Sequence, residues 1–275
     1  MVCLVAAFSF SAGAEDSRLD QINREKAIKI AYRTDATPFS FVKEGDPVGY
    51  TIDICKFVVA SLEHQLNAKP LKIEWIPVTT QTRFETVASG KADMECGSST
   101  ITLGRMKQVD FSNFIFVQST GVIAKVSSGI TRIPHLAGKK IAVISGTTNE
   151  QAVQAVNKIV QLNATVVTVK DRAEGISLLE GGQVDAFAGD KILLAGAQYQ
   201  AAQDISMLPD DLSIEQYAIV LPRGDWNMRL AVNTALAEMY RRGIMISVYR
   251  KWFSNVHLEP GVLLEALFIF GAIPE

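Results

Sequence analysis

Two stretches of this chain carry one frame, and that frame decides the fold: residues 84–99, FETVASGKADMECGSS, and residues 176–191, ISLLEGGQVDAFAGDK. In each, apolar residues three apart (Phe84 and Val87; Ile176 and Leu179) lead to a glycine, Gly90 or Gly182. An aspartate follows three residues on (Asp93; Asp185), and a second glycine four beyond that (Gly97; Gly189). The pattern reads as a short helix stopped by a glycine in the left-handed conformation, then a short strand stopped by another. A second echo, Lys29-Ile30-Ala31 and Lys140-Ile141-Ala142, opens a strand ahead of each copy. Two echoes in the same order predict two lobes built on one α/β plan. Ser98 and Asp190 hold equivalent places just past the two strands. Open α/β sheets bind ligands beyond the carboxyl ends of their strands. Ser98 and Asp190 are therefore expected to face one cleft from opposite sides.

Outward from these copies, strand-like and helix-like runs alternate. Residues 28–32, 71–77, 92–96, 140–144, 165–169 and 185–188 read as strands. Ile52, Cys55, Val59, Leu62 and Leu66 recur at helical spacing, and residues 81–89, 148–159, 172–180, 191–200 and 227–241 read as helices too. Such alternation predicts an α/β architecture with largely parallel sheets. A chain of 275 residues is long for one compact core, which favours two domains.

Composition removes several function classes. The net charge of −2 offers no electrostatic footprint for nucleic acid or an anionic membrane surface. Three histidines and three scattered cysteines make no metal-ligand spacing, so no metal and no cofactor is expected. Cys55 and Cys96 read as free thiols rather than a disulfide, because one falls on a helix, the other on a strand, and nothing in the sequence brings them together. Residues 1–14 are apolar and small and end in Ala12-Gly13-Ala14, like the apolar core and cleavage site of a secretory signal. The usual basic region is missing, so the segment reads as a signal truncated at its start. The apolar run near the C-terminus, broken by Glu265, is too short to span a bilayer and reads as a tail over residues 261–275.

Four features point to a small zwitterion. In Ser98-Ser99-Thr100-Ile101-Thr102-Leu103-Gly104-Arg105, hydroxyls stand beside an arginine whose planar fork suits a carboxylate. In Ser145-Gly146-Thr147-Thr148-Asn149-Glu150, a helix start offers free N–H groups to an anion; taken alone, an ordinary N-cap with Glu150 in a capping box is the better reading of it. Asp190 is a carboxylate at a strand end that can pair with an ammonium or simply cap a helix. Arg33, Arg83 and Arg172 all stand at strand-to-helix junctions. Singly each reads as a solvated surface charge; their shared position suggests a cleft.

The chain resembles the bacterial extracellular solute-binding proteins of family 3, the amino-acid receptors of ABC importers, and within them the glutamate/aspartate-binding branch. The matching segments include Pro38-Phe39-Ser40-Phe41, Gly49-Tyr50-Thr51-Ile52-Asp53-Ile54, Glu95-Cys96-Gly97-Ser98-Ser99-Thr100 with Arg105, Val109-Asp110-Phe111-Ser112, Ser145-Gly146-Thr147-Thr148 and Lys251-Trp252-Phe253. The resemblance implies a periplasmic-binding-protein-like fold of type II: two α/β lobes joined by two crossover segments, with a ligand cleft between them. Lobe 1 is expected over residues 20–118 plus 218–260, and lobe 2 over 119–217. It implies that Arg105, Thr100 and Thr148 take the ligand α-carboxylate, and that Asp190 with Ser98 takes the α-ammonium. Arg33, Arg83 and Thr80 would meet a side-chain carboxylate. Arg172 stands where the branch often has a histidine, which adds a fixed positive charge. The implied partners are free L-glutamate or L-aspartate and an ABC permease of the inner membrane. The protein would then be a periplasmic monomer and not an enzyme. The competing readings are a receptor for glutamine or another polar amino acid, an enzyme like the cyclohexadienyl dehydratases that share this fold, and a sensor domain that signals through a separate partner.

Overall fold

A computed structural model of the chain describes residues 17–68, 70–198, 204–254 and 260–274. The signal-like segment 1–14 lies outside the described residues, as do the last two residues of the helix expected over 191–200. In chain order the elements begin with α1 (Arg18–Glu25), β1 (Ala27–Arg33), β2 (Asp35–Ala36), β3 (Ser40–Lys43), β4 (Asp46–Val48), α2 (Tyr50–Gln65), β5 (Lys72–Val78), α3 (Arg83–Ala88), β6 (Met94–Cys96) and β7 (Asp110–Lys125). They continue with β8 (Lys140–Ile144), α4 (Thr148–Ile159), β9 (Thr165–Val169), α5 (Arg172–Glu180), β10 (Ala186–Asp190), α6 (Lys191–Gln198), β11 (Ile205–Met207), β12 (Ser213–Leu221), α7 (Trp226–Arg241), α8 (Ile244–Phe253) and α9 (Val262–Phe270). All six predicted strands are present.

One nine-stranded sheet runs in the order β5-β1-β6-β12-β7-β10-β8-β9, with β11 added against β7. Its two wings repeat each other. β1 lies between β5 and β6, parallel to both, and β8 lies between β9 and β10 in the same way. The echoed residues build this repeat. Gly90 and Gly182 take φ of 73° and 67°, the left-handed region open to glycine at low cost. Each lets the chain turn back three residues before its aspartate. Asp93 Oδ2 then accepts the amide of Lys29 at 2.7 Å, and Asp185 Oδ2 the amide of Lys140 at 2.8 Å. The backbones return the bond, Asp93 N to Lys29 O at 2.8 Å and Asp185 N to Lys140 O at 2.9 Å. The aspartate of each copy thus pins the start of one strand beside its neighbour. The repeat is α/β in both lobes, as the sequence frame predicts.

The wings are joined by β7 and β12, which pair antiparallel from Ser213 opposite Thr120 to Leu221 opposite Asp110. Apolar residues divide in the same way. The largest buried cluster draws on residues 22–116 and 217–264 and takes in Leu193 of α6, whereas two others lie within 122–208. Near the middle, Phe39 meets Phe116 and Tyr217 edge-on at centroid distances of 4.8 and 5.2 Å. Geometry of this kind contributes about 0.5–1.5 kcal/mol per pair beyond area burial.

Two features went unread in the sequence. Cys55 and Cys96 form a disulfide with Cα atoms 6.4 Å apart, so the free-thiol expectation is corrected. The register of β1 against β6 places Cys96 beside Tyr32, on the face covered by α2, and only that pairing brings the two cysteines together. The C-terminal apolar run is a helix, α9, that seats Leu264, Leu267 and Phe268 on the larger core. No helix among the described residues is long and apolar enough to cross a membrane.

The disulfide closes a loop with a sequence separation of 41, for which chain entropy assigns about 4 kcal/mol. Cys55→Ser with Cys96→Ser is expected to lose roughly 2–4 kcal/mol of unfolding free energy. Urea denaturation of parent and double variant, each with and without reductant, checks this. Equal stability of the two under oxidising conditions would overturn it.

Candidate functional site

The carboxyl ends of the parallel strands converge on one narrow cavity of about 30 Å³. Eight of the nine predicted residues line it: Arg33, Thr80, Arg83, Ser98 and Thr100 from one side, Thr148, Arg172 and Asp190 from the other. Arg105 stands beside it, its NH1 bonded to the Thr100 carbonyl at 2.7 Å. A larger cavity of about 480 Å³ adjoins, and Arg33, Thr80, Arg172 and Leu193 line both.

Each side chain is held by its local sequence. Thr147 caps α4 by accepting the Glu150 amide, and Glu150 Oε2 accepts the Gly146 amide at 2.8 Å. Asp171 caps α5, and Glu174 Oε2 accepts the Lys170 amide at 2.8 Å. These reciprocal caps aim Thr148 and Arg172 at the cleft. Gly97 is required for a different reason. A Cβ there would overlap the Glu95 carboxylate and crowd Arg33 Cγ.

The electrostatics are unbalanced. Arg33 is buried but directs Nε and NH2 onto Asp35 Oδ1 at 2.9 and 2.6 Å. Arg83 is 4% exposed and its Nε has no hydrogen-bond partner among the described residues. Its guanidinium lies 4.7 Å from the Phe84 ring centre, and that of Arg105 lies 4.8 Å from the same ring. Burial, with repulsion from Arg33 and Arg105, pushes the Arg83 guanidinium down to about 9. It remains a cation at neutral pH, so the site carries an unmet demand for an anion. Burial also lowers Arg172 and Arg105. Beneath them Glu95 is fully buried, with Oε2 accepting the Ser99 hydroxyl and Oε1 without a hydrogen-bond partner among the described residues. Burial raises its pKa, and the attraction of Arg83 opposes that rise.

Asp190 is the carboxylate of the cleft. Its Oδ1 accepts Asn149 Nδ2 at 2.9 Å and Gln118 Nε2 at 3.0 Å. Burial raises its pKa, and the Asn149 donor and the attraction of Arg172 only partly offset the effect. The buried Tyr217 hydroxyl faces it without reaching hydrogen-bond geometry. Asn149, Gln118, Tyr217 and Glu215 were missed as site residues. Glu215 accepts Thr148 Oγ1 at 2.7 Å and Thr120 Oγ1 at 3.0 Å. Asn149 is adjacent to a predicted residue, and Glu215 and Tyr217 alternate on one face of β12. That alternation was the available signal.

The two sides also touch directly. Arg172 NH1 donates to the Asp35 carbonyl at 2.5 Å, Gln81 Nε2 to the Lys170 carbonyl at 3.1 Å, and Arg105 NH2 to the Gly146 carbonyl at 3.5 Å. No group of metal-binding side chains occurs among the described residues.

Residues 28–255 match the family model of bacterial extracellular solute-binding proteins, family 3. The chain belongs to that family. Among curated relatives, an L-glutamate/L-aspartate-binding protein of Pseudomonas aeruginosa is 33% identical over 86% of this chain and 80% of its own length. A glutamate/aspartate import solute-binding protein of Salmonella typhimurium is 32% identical over 89% and 82%. Both are named as binding proteins rather than enzymes. In structure, an ancestral arginine-binding protein bound to arginine superposes with a TM-score of 0.74, at 29% identity over 83% of this chain and 98% of that one. An ancestral amino-acid-binding protein described as a precursor of cyclohexadienyl dehydratase gives 0.74, at 27% identity over 86% and 100%. These likenesses agree with the two-lobed α/β fold and with a cleft between the lobes.

Asp190 yields a test of the electrostatics in the ligand-free protein. Its folded pKa is raised, so its contribution to stability is fully present below the unfolded value and is lost as pH rises through the folded one. Asn in its place accepts the same two bonds without the buried charge. Asp190→Asn is expected to be more stable than the parent at pH 7, with the gain vanishing as pH falls below the ordinary aspartate range. Thermal unfolding across pH checks this; a variant less stable at pH 7 would overturn it.

Proposed function

We propose that this chain is the substrate-binding component of an amino-acid ABC importer, and that it captures glutamate or aspartate by hinge closure of two lobes. The observation that carries the acidic ligand is Arg83, a buried guanidinium with an unpartnered Nε in a cavity that holds one carboxylate for an ammonium group. A neutral cleft residue would need no anion; a buried arginine does. In this reading Arg105, Thr100 and Thr148 take the α-carboxylate, and Asp190 with Ser98 takes the α-ammonium. Arg33, Arg83, Arg172 and Thr80 surround the side-chain carboxylate. Arg33 and Arg172 each keep N–H groups beyond those given to Asp35. The lobes are residues 20–118 with 218–260, and 119–217, which hinge on β7 and β12. The protein is a periplasmic monomer that presents its closed form to an inner-membrane permease. The relatives' names and the cross-cleft bonds of Arg172, Gln81 and Arg105 support this assignment.

Charge-assisted bonds of about 1.5–3 kcal/mol set the expected effects. Arg83→Met is expected to weaken glutamate and aspartate by roughly 10- to 150-fold and glutamine far less, because only a charged side chain pairs with Arg83. Arg105→Ala is expected to abolish binding of all three. Calorimetry on refolded, ligand-free protein, with glutarate as a dicarboxylate lacking the amine, measures these. Parent protein that binds glutamine as tightly as glutamate would sink the acidic assignment.

A further inference from the structure

The end of the enclosed cavity assigned to the ligand side chain is a shared wall and not a closed one. Arg33, Thr80 and Arg172 line both the 30 Å³ space and the adjoining cavity of about 480 Å³. The larger volume falls in the range of roughly 300–1,000 Å³ typical of small-molecule sites, and it persists while Arg172 and Gln81 bridge the lobes. Its lining mixes chemistry: Val78, Ile176 and Leu193 are apolar, Thr34 and Thr79 carry hydroxyls, Lys170 is a cation, and Asp35 and Asp171 are carboxylates, Asp35 being already engaged by Arg33. Lys170 is exposed, and among the described residues its Nζ makes no hydrogen bond or ion pair. A ligand that continues past its γ-carbon therefore meets room, a partly apolar floor and, beyond Arg33 and Arg172, a third positive charge at Lys170.

We infer that the site also accepts γ-glutamyl amino acids, with the glutamyl head in the enclosed cavity and the linked residue in the larger one. The inference rests on the ligand orientation proposed above. Arg33 and Arg172 would donate to the γ-amide carbonyl, and Lys170 would meet the terminal carboxylate. One added residue lengthens the ligand by about 3.5 Å, so it needs space outside the enclosed cavity, and the adjoining cavity is the space that shares its wall. An α-linked peptide has no such route, because its extension would start at the carboxylate held by Arg105.

Calorimetry on the full chain, refolded without ligand, tests this with glutamate, γ-glutamylglycine, γ-glutamyl methylamide and α-glutamylglycine. γ-Glutamylglycine is expected to bind within about 100-fold of glutamate, the loss reflecting one charge-assisted pair exchanged for a neutral one. Lys170→Gln is expected to weaken γ-glutamylglycine by about threefold, the scale of an exposed ion pair, and to leave the methylamide and glutamate unchanged. Ala173→Phe fills the larger cavity from an exposed position on α5. It should weaken both γ-linked ligands by more than about tenfold while glutamate stays within twofold. Glutamate binding without saturable γ-glutamylglycine binding would overturn this inference and leave the acidic reading intact. γ-Glutamylglycine binding without glutamate binding would do the reverse. Equal losses for glutamate and γ-glutamylglycine in Ala173→Phe would overturn the placement in the larger cavity, and binding of neither ligand would overturn both readings.

Discussion

The antiparallel pairing of β7 with β12 is the constraint on which the rest depends. These strands pass between the wings of the sheet, and residues on them reach the cleft: Gln118 and Thr120 from one, Glu215 and Tyr217 from the other. Thr120 is also the register partner of Asp190 on β10. The carboxylate of the cleft is therefore set directly against a crossing strand. Asn149 Nδ2 donates both to Thr120 and to Asp190, which ties the start of α4 to the same point.

Charge burial shapes the cleft as strongly as topology does. Arg33, Arg83, Arg105 and Arg172 converge with Asp35, Glu95, Asp190 and Glu215. The signs balance in number but not in pairing. Asp35 serves Arg33 and lends its carbonyl to Arg172, whereas Glu95 reaches Arg83 only as an electrostatic neighbour. Breaking up buried charges without satisfying them costs several kcal/mol in general. Here part of that cost is held in the folded protein by the close framework: the Cys55–Cys96 bond fixes β6 to α2, and Gly97 lets Glu95 lie under Arg33. Under the proposed function, a dicarboxylic zwitterion brings two carboxylates to these arginines and one ammonium to Asp190.

Legibility followed the range of the interactions. Helices 148–159 and 172–180 were readable to the residue because their caps are local: Thr147 with Glu150, and Asp171 with Glu174. The lobe repeat was readable because the glycines and aspartates that build it sit in one short frame. The site arginines were readable only as a group, from their common place at strand ends and from a family likeness. What stayed hidden depends on partners distant in sequence. The disulfide needs the β1–β6 register, Asn149 becomes a site residue only through Thr120 and Asp190, and α9 reads as a tail until a core is there to receive Leu264 and Phe268.

The two copies of the frame explain the polarity of the cleft by where they differ. Their glycines and aspartates do the same work in both lobes, Asp93 and Asp185 pinning neighbouring strands by like bonds. The residue after the final glycine does not: it is Ser98 in one copy and Asp190 in the other. A symmetric cleft would offer equal signs to both ends of a ligand and could not favour one orientation of a zwitterion. One changed position in a repeated frame gives the second lobe its carboxylate, and the arginines at Arg83 and Arg105 in the first lobe complete the opposite sign. Under the proposed function, orientation of the ligand arises from a local departure within a repeated plan, and the strands that carry the departure need not change.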